Sequence, residues 1–207
     1  MAKKIRVLAV DDHPLLREGI TAVMQGEEDM ELVAVATNGI QSIELFRLHR
    51  PDVTLMDLQM PGMNGIEAIN EIRREFSNAR FIVLTTYQGD IQVLRALKAG
   101  ATGYLLKNML RRDLLDAIRA VYAGRRYIPN EIAAELAEHV IDESLSDREV
   151  AVLRKVASGT SNKIIAAQLE LTEATVKGHL KSILSKLGAN DRTHAVTIAM
   201  KRGFLDG

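Results

Sequence analysis

The 207-residue sequence contains no cysteine. That excludes a disulfide framework, a thiolate nucleophile and a cysteine metal cluster, and it is compatible with a reducing cytoplasm. No apolar run approaches the length of a membrane span, and Met1-Ala2-Lys3-Lys4 leads straight into a strand pattern without the apolar core of a signal peptide. A soluble, cytoplasmic protein with no membrane partner is the expectation. Net charge is missing too, because Lys+Arg and Asp+Glu both count 27. The balance hides an asymmetry: residues 145–207 hold ten Lys/Arg against six Asp/Glu, whereas residues 1–144 hold seventeen against twenty-one. A basic C-terminal segment suits a polyanionic partner. Also absent is any Gly-x-x-x-x-Gly-Lys-Ser/Thr stretch, which argues against a nucleotide hydrolase.

A hydrophobic content of 47% over this length supports two small domains with real cores. Residues 5–123 alternate short apolar runs with helical patterns five times, the signature of an α/β doubly wound parallel sheet. Strands are expected at Ile5–Val10, Leu32–Ala36, Val53–Met56, Phe81–Leu84 and Gly103–Leu106. Pro14 fits a first helical turn after Asp12 as cap, and Leu15, Leu16, Ile20, Val23 and Met24 then recur at helical spacing. The third apolar run ends at Asp57 and is followed by Gln59-Met60-Pro61-Gly62-Met63-Asn64-Gly65, a loop that neither helix nor strand favours. Asp11 and Asp12, Thr85 and Lys107 follow three of the other runs, so a parallel sheet brings all of them to its carboxyl edge, where ligands bind. Three carboxylates in one cleft repel each other. A divalent cation relieves that repulsion, and hard oxygen ligands suit Mg2+. The lysine supplies a point charge for a phosphoryl oxygen and the threonine a hydroxyl donor.

These residues resemble the receiver domain of two-component response regulators, which implies the flavodoxin-like strand order 2-1-3-4-5. The resemblance makes Asp57 the phosphoacceptor, with Mg2+ held by Asp11, Asp12, Asp57 and the backbone carbonyl of Gln59. It makes Thr85 the switch hydroxyl, Tyr104, nineteen residues on, the switch aromatic, and Lys107 the phosphate partner. Many receivers place proline after the lysine, often with a cis bond. Here Asn108 follows, and a cis peptide before a non-proline residue costs about 3 kcal/mol. By the same resemblance Gln59 and Tyr87 flank the path of the water that hydrolyses the phosphoryl group. Neither is a general base at neutral pH, so a long-lived phosphoprotein is expected.

A helix from Arg111 to Tyr122 is broken by Gly124 and Pro129, which marks a domain boundary. Asn130 to Ile141 carries Ile132, Leu136, Val140 and Ile141 on one stripe and reads as an amphipathic linker helix. The expected division is 1–123, a linker over 124–144, and 145–207. Ser146 with Glu149 forms a capping box that starts a helix ending near Gly159. Ser161 then caps a short helix and Thr172 a longer one from Glu173 to about Leu187, which is helix-turn-helix spacing in a small all-α domain. The longer helix is expected to bury Val176, Leu180, Ile183, Leu184 and Leu187 and to expose Thr175, Lys177, Gly178, Lys181, Ser182 and Ser185.

Leu145-Ser146-Asp147-Arg148-Glu149, Gly159 to Ala166, Thr175 to Leu180 and Ile183 to Leu187 together are similar to the LuxR-type DNA-binding domain. Both domains in this order resemble response regulators of the NarL/FixJ subfamily. The resemblance implies a phosphorylation-controlled transcription regulator rather than an enzyme, whose partners are a sensor histidine kinase, double-stranded DNA and a second copy of itself. It places Lys177, Gly178 and Lys181 toward base edges, Asn162, Lys163 and His179 toward phosphates, and Val196 and Met200 at a dimer contact. Two other readings remain. A Mg2+-dependent aspartyl phosphohydrolase would carry Asp-x-Asp-x-Thr after the first strand, where this chain has Asp11-Asp12-His13-Pro14. A signalling adaptor would use the C-terminal helices to bind protein.

Overall fold

The computed structural model describes residues 3–86, 90–130, 132–133 and 145–205. The chain divides into two compact units, the first reaching Ala133 and the second holding the C-terminal helices.

In the first unit five strands, β1 (Ile5–Val10), β2 (Met30–Ala36), β3 (Val53–Asp57), β4 (Phe81–Thr85) and β5 (Gly103–Leu106), form a sheet of order β2-β1-β3-β4-β5. All the pairings are parallel. β3 and β4 are buried along their whole length, which explains why they read as mostly apolar rather than alternating, with buried Thr54 the one polar residue inside β3 before Asp57. The helices α1 (Pro14–Met24), α2 (Gly39–His49), α3 (Gly65–Glu75), α4 (Asp90–Ala99) and α5 (Leu110–Tyr122) connect the strands or follow them. Ile20 and Met24 of α1 and Leu114, Ala117, Ile118 and Val121 of α5 close one face of the sheet over Val7, Ala9, Leu55 and Leu84. α2 and α3 pack side by side, and Phe46 of α2 stacks on Phe76 and Phe81 with ring centroids 5.3 and 6.3 Å apart.

Two expectations for α1 are corrected. The cap of α1 is His13, not Asp12, and its side chain makes no capping hydrogen bond. Leu15 does not join the buried stripe of α1 but is 82% exposed. A single 3-10 turn, Lys107–Met109, precedes α5, and no cis peptide bond occurs among the described residues. Of the linker helix expected from Asn130 to Ile141, residues 131 and 134–141 lie outside the described residues.

The second unit contains α6 (Asp147–Ala157), α7 (Asn162–Gln168), α8 (Glu173–Lys186) and α9 (Arg192–Arg202). The capping box of Ser146 and Glu149 is present, and Thr172 caps α8 by accepting from the Thr175 amide at 3.1 Å. Ser161 is the residue before α7, yet its side chain makes no capping bond. The turn between α7 and α8 passes through Glu170 in the left-handed region, at φ 55°. Val152, Leu153, Ile165, Val176, Ile183 and Ala195 are fully buried. Leu180 and Leu184, expected in the core, are only half-buried.

Candidate functional site

Parallel register carries the ends of β1, β3, β4 and β5 to one edge, and the polar residues gather there. Asp11 and Asp57 are fully buried, as is Thr85. Lys107, just beyond β5, places its Nζ 2.8 Å from Asp11 Oδ2 and 2.8 Å from Asp57 Oδ2. The other Asp57 oxygen accepts the Gln59 amide at 3.2 Å. Asp11 is held from both sides: its Oδ1 accepts the His13 amide at 2.8 Å, and its backbone carbonyl accepts Arg17 at 2.7 Å. Behind Asp57 the loop closes through Gly65, whose amide donates to the Leu58 carbonyl at 3.1 Å, and through the Asn64–Glu67 capping box that opens α3.

Burial pushes the Asp57 carboxyl up; the Lys107 bond opposes that shift, and the charge of Asp11 adds to it. Lys107 is pulled down by its own burial, but its bonds to Asp11 and Asp57 outweigh this and hold its pKa above the ordinary lysine value. Three carboxylates against one ammonium leave an excess of negative charge, and ligand oxygens of Asp11, Asp12 and Asp57 lie within 4.8 Å of one another. Asp12 Oδ1 is buried and receives no hydrogen bond, though the His13 ring Nδ1 lies 2.8 Å from it. Hard donors, unbalanced charge and an unserved oxygen fit a divalent cation.

Tyr104 is fully buried. Its register partner on β4 is Val83, two residues before Thr85. On its other side the sheet is extended by the chain just after α5: the Tyr104 amide donates to the Tyr127 carbonyl at 2.8 Å and the Tyr127 amide to the Thr102 carbonyl at 3.1 Å. Sequence reasoning missed Tyr127, since one bridging residue leaves no periodic signal. Gln59 is exposed, and Tyr87 lies outside the described residues.

In the second unit Lys177, Gly178 and Lys181 share the exposed face of α8, and Lys163 is exposed, while Asn162 and His179 are half-buried. A side chain at Gly178 would meet nothing within 4 Å, so internal packing does not demand glycine there. Lys177 is paired with Glu173 at 3.2 Å across one helical turn. Ser182 is not on the outside as expected. It donates to Glu149 Oε1 at 2.7 Å, while Glu149 Oε2 accepts from Lys186 at 2.9 Å and from the Ser146 amide at 2.7 Å. Burial would push Glu149 up, but these donors hold its pKa down to about 2. The capping box was legible in sequence; its attachment of α8 to α6 was not. Val196 is half-buried and Met200 is 51% exposed on α9.

A buried acidic edge closed by a lysine, joined in one chain to a helix-turn-helix unit, defines a signal-receiving regulator of DNA. The family model for the response regulator receiver domain matches residues 7–119, and that for bacterial regulatory proteins of the luxR family matches residues 143–199. The transcriptional regulatory protein LiaR of Bacillus subtilis is 40% identical over 98% of this chain and 100% of its own length. A nitrate/nitrite response regulator homolog of Haemophilus influenzae is 37% identical, covering 96% of this chain and 97% of that protein. Among solved structures, one of two RcsB dimers bound to two parallel DNAs matches with a TM-score of 0.73 and 27% identity, over 96% of this chain and 99% of that one. The chain belongs to the response regulators of the NarL/LuxR family, with a flavodoxin-like receiver domain and a LuxR-type DNA-binding domain.

Proposed function

We propose that this regulator acts in the cytoplasm as a transcription factor switched by phosphorylation of Asp57, over domains of residues 1–123 and 145–207 joined by 124–144. The observation that carries the reading is the single ammonium of Lys107 shared between Asp57 and Asp11 at the sheet edge. An Asp57 oxygen attacks the phosphorus of a sensor kinase's phosphohistidine; the P–O bond forms as the P–N bond breaks and the imidazole leaves. Asp11, Asp12, Asp57 and the Gln59 carbonyl would hold Mg2+, which supplies charge neutralisation for the transferring phosphoryl group. Lys107 then exchanges its carboxylate contact for a phosphoryl oxygen, and the Thr85 hydroxyl donates to another.

Movement of Thr85 is felt one strand away at Tyr104, whose amide is bonded to Tyr127 at the start of the linker. That path couples acceptor chemistry to the connection between domains. Turning a population from 1:99 to 99:1 requires about 5.5 kcal/mol of differential stabilisation. Lys177, Gly178 and Lys181 face the major groove of double-stranded DNA, with Asn162, Lys163 and His179 near phosphates. Pairing of two copies through Val196 and Met200 matches two half-sites, a reading supported by the DNA-bound dimers of RcsB. A genome-wide occupancy map tests this. Wild type should occupy discrete sites that Asp57→Asn loses; equal occupancy would contradict phosphorylation control, and no occupancy by either would favour a protein-binding adaptor.

A further inference from the structure

We propose that the imidazole of His13 is a ligand of the carboxylate site and makes it a mixed nitrogen and oxygen site that binds a borderline transition cation, of the Ni2+ or Zn2+ kind, more tightly than Mg2+. The inference rests on the metal reading of Asp11, Asp12 and Asp57.

His13 occupies the N-cap of α1, where a short oxygen side chain ordinarily accepts a free helix amide. Asn38, Asn64, Ser146, Thr172 and Asp191 do so at the heads of their helices; Ser161 and the His13 side chain do not. The ring is instead turned back toward the acidic pair, with Nδ1 2.8 Å from Asp12 Oδ1 and 3.3 Å from Asp11 Oδ1. Both contacts are at ion-pair distance, and neither has hydrogen-bond geometry. Asp11 Oδ1 already accepts the His13 backbone amide, and Asp12 Oδ1 receives no hydrogen bond despite the nearby ring.

Donor spacings of this size suit a shared ion. Two ligands each about 2.1 Å from a six-coordinate cation sit about 3.0 Å apart when adjacent and about 4.2 Å apart when opposed. Ligand atoms of Asp11, Asp12, His13 and Asp57 all lie within 4.8 Å of one another. The side chain is 68% exposed, so packing does not explain why it points there.

The consequence is selectivity. Carboxylates and water satisfy Mg2+, a hard cation that gains little from an imidazole. For Ni2+ and Zn2+ a neutral imidazole is a preferred ligand, and oxygen sites that acquire one strengthen in the order of intrinsic transition-metal affinity.

Isothermal titration calorimetry on the full chain, with Mg2+ and Ni2+ in separate titrations, tests the assignment. In His13→Ala the Ni2+ affinity should fall at least tenfold while Mg2+ affinity changes less than twofold. His13→Asn, which restores an oxygen cap to α1, should lose Ni2+ affinity in the same way, separating ligation from any effect on the helix. Ni2+ binding unchanged in both variants, or Mg2+ and Ni2+ weakened equally, would overturn the proposal. Ni2+ binding that also ignores Asp12→Asn would place the ion at other histidines and overturn it as well. Failure of the wild type to bind Mg2+ is a different result, which would remove the underlying carboxylate site.

Discussion

Replacing Gly65 with alanine should damage the acceptor site without touching any of its functional groups. Gly65 is the first residue of α3, and its φ is not in the left-handed region, so an alanine backbone fits. Helix propensity alone would favour the change by up to about 1 kcal/mol. Space decides otherwise. A Cβ at Gly65 would lie 2.0 Å from the Asp57 carbonyl oxygen, 2.9 Å from its carbonyl carbon and 3.0 Å from the Leu58 Cα, all backbone atoms. Ordinary contact begins near 3.4 Å, so the Asp57–Leu58 peptide or the head of α3 must move by more than an ångström. Forced overpacking of this kind costs roughly 1–3 kcal/mol. Displacing a reacting group by about 1 Å costs up to roughly 100-fold in rate. An intact-mass time course with acetyl phosphate and Mg2+ should therefore show Gly65→Ala phosphorylated at least about tenfold more slowly, beside a lowered melting temperature. Gly19→Ala is the control, being in α1 with nothing within 4 Å of the added methyl. It should keep the wild-type rate and melt no lower. A Gly65→Ala protein with wild-type melting and rate would refute the argument.

Glu149 links acid stability to the DNA-binding unit. A carboxyl held from 4.5 down to about 2 contributes up to about 3 kcal/mol at neutral pH. Because the folded pKa is depressed, that contribution is complete above pH 4.5 and is lost as pH falls toward 2; calorimetric melting of the C-terminal unit in Glu149→Gln should lie well below wild type at pH 7 and converge with it in acid. Lys181→Ala should narrow the gap between specific and random DNA, since a lysine donating to guanine is worth roughly 1–3 kcal/mol of discrimination. Lys163→Ala should weaken both alike and reduce the salt slope by about one unit, and equal losses for Lys181→Ala across a salt series would make it a phosphate contact. Met200→Asp, at an exposed position of α9, should leave the melting temperature unchanged and abolish dimers of the phosphorylated protein on DNA in sedimentation.

Sheet and acceptor edge were readable because parallel strands buried on both faces leave short, largely apolar runs, broken in β1 and β3 only by Arg6 and Thr54, and Asp11, Asp57, Thr85 and Lys107 each end or follow one. Helix boundaries came from local chemistry such as the Ser146–Glu149 box. What could not be read depends on contacts across the chain. Ser182 has the spacing of a solvent-facing residue, yet a buried carboxylate 33 positions away draws it inward. Leu15 has the spacing of a core residue but stays in solvent, 82% exposed. The sheet continues past β5 because Tyr127 pairs beside Tyr104 through two backbone bonds, which no side-chain pattern encodes. His13 takes the cap position expected of Asp12, and the approach of its ring to Asp12 is side-chain geometry that spacing does not encode.

The central claim is that Asp57 receives the phosphoryl group. Intact-mass measurement of wild type and Asp57→Asn after incubation with acetyl phosphate and Mg2+ tests it most directly, because an amide cannot attack phosphorus and its substitution removes no other acceptor. Wild type should gain one phosphoryl group and the Asn variant none; a variant that gains it at the wild-type rate would contradict the assignment.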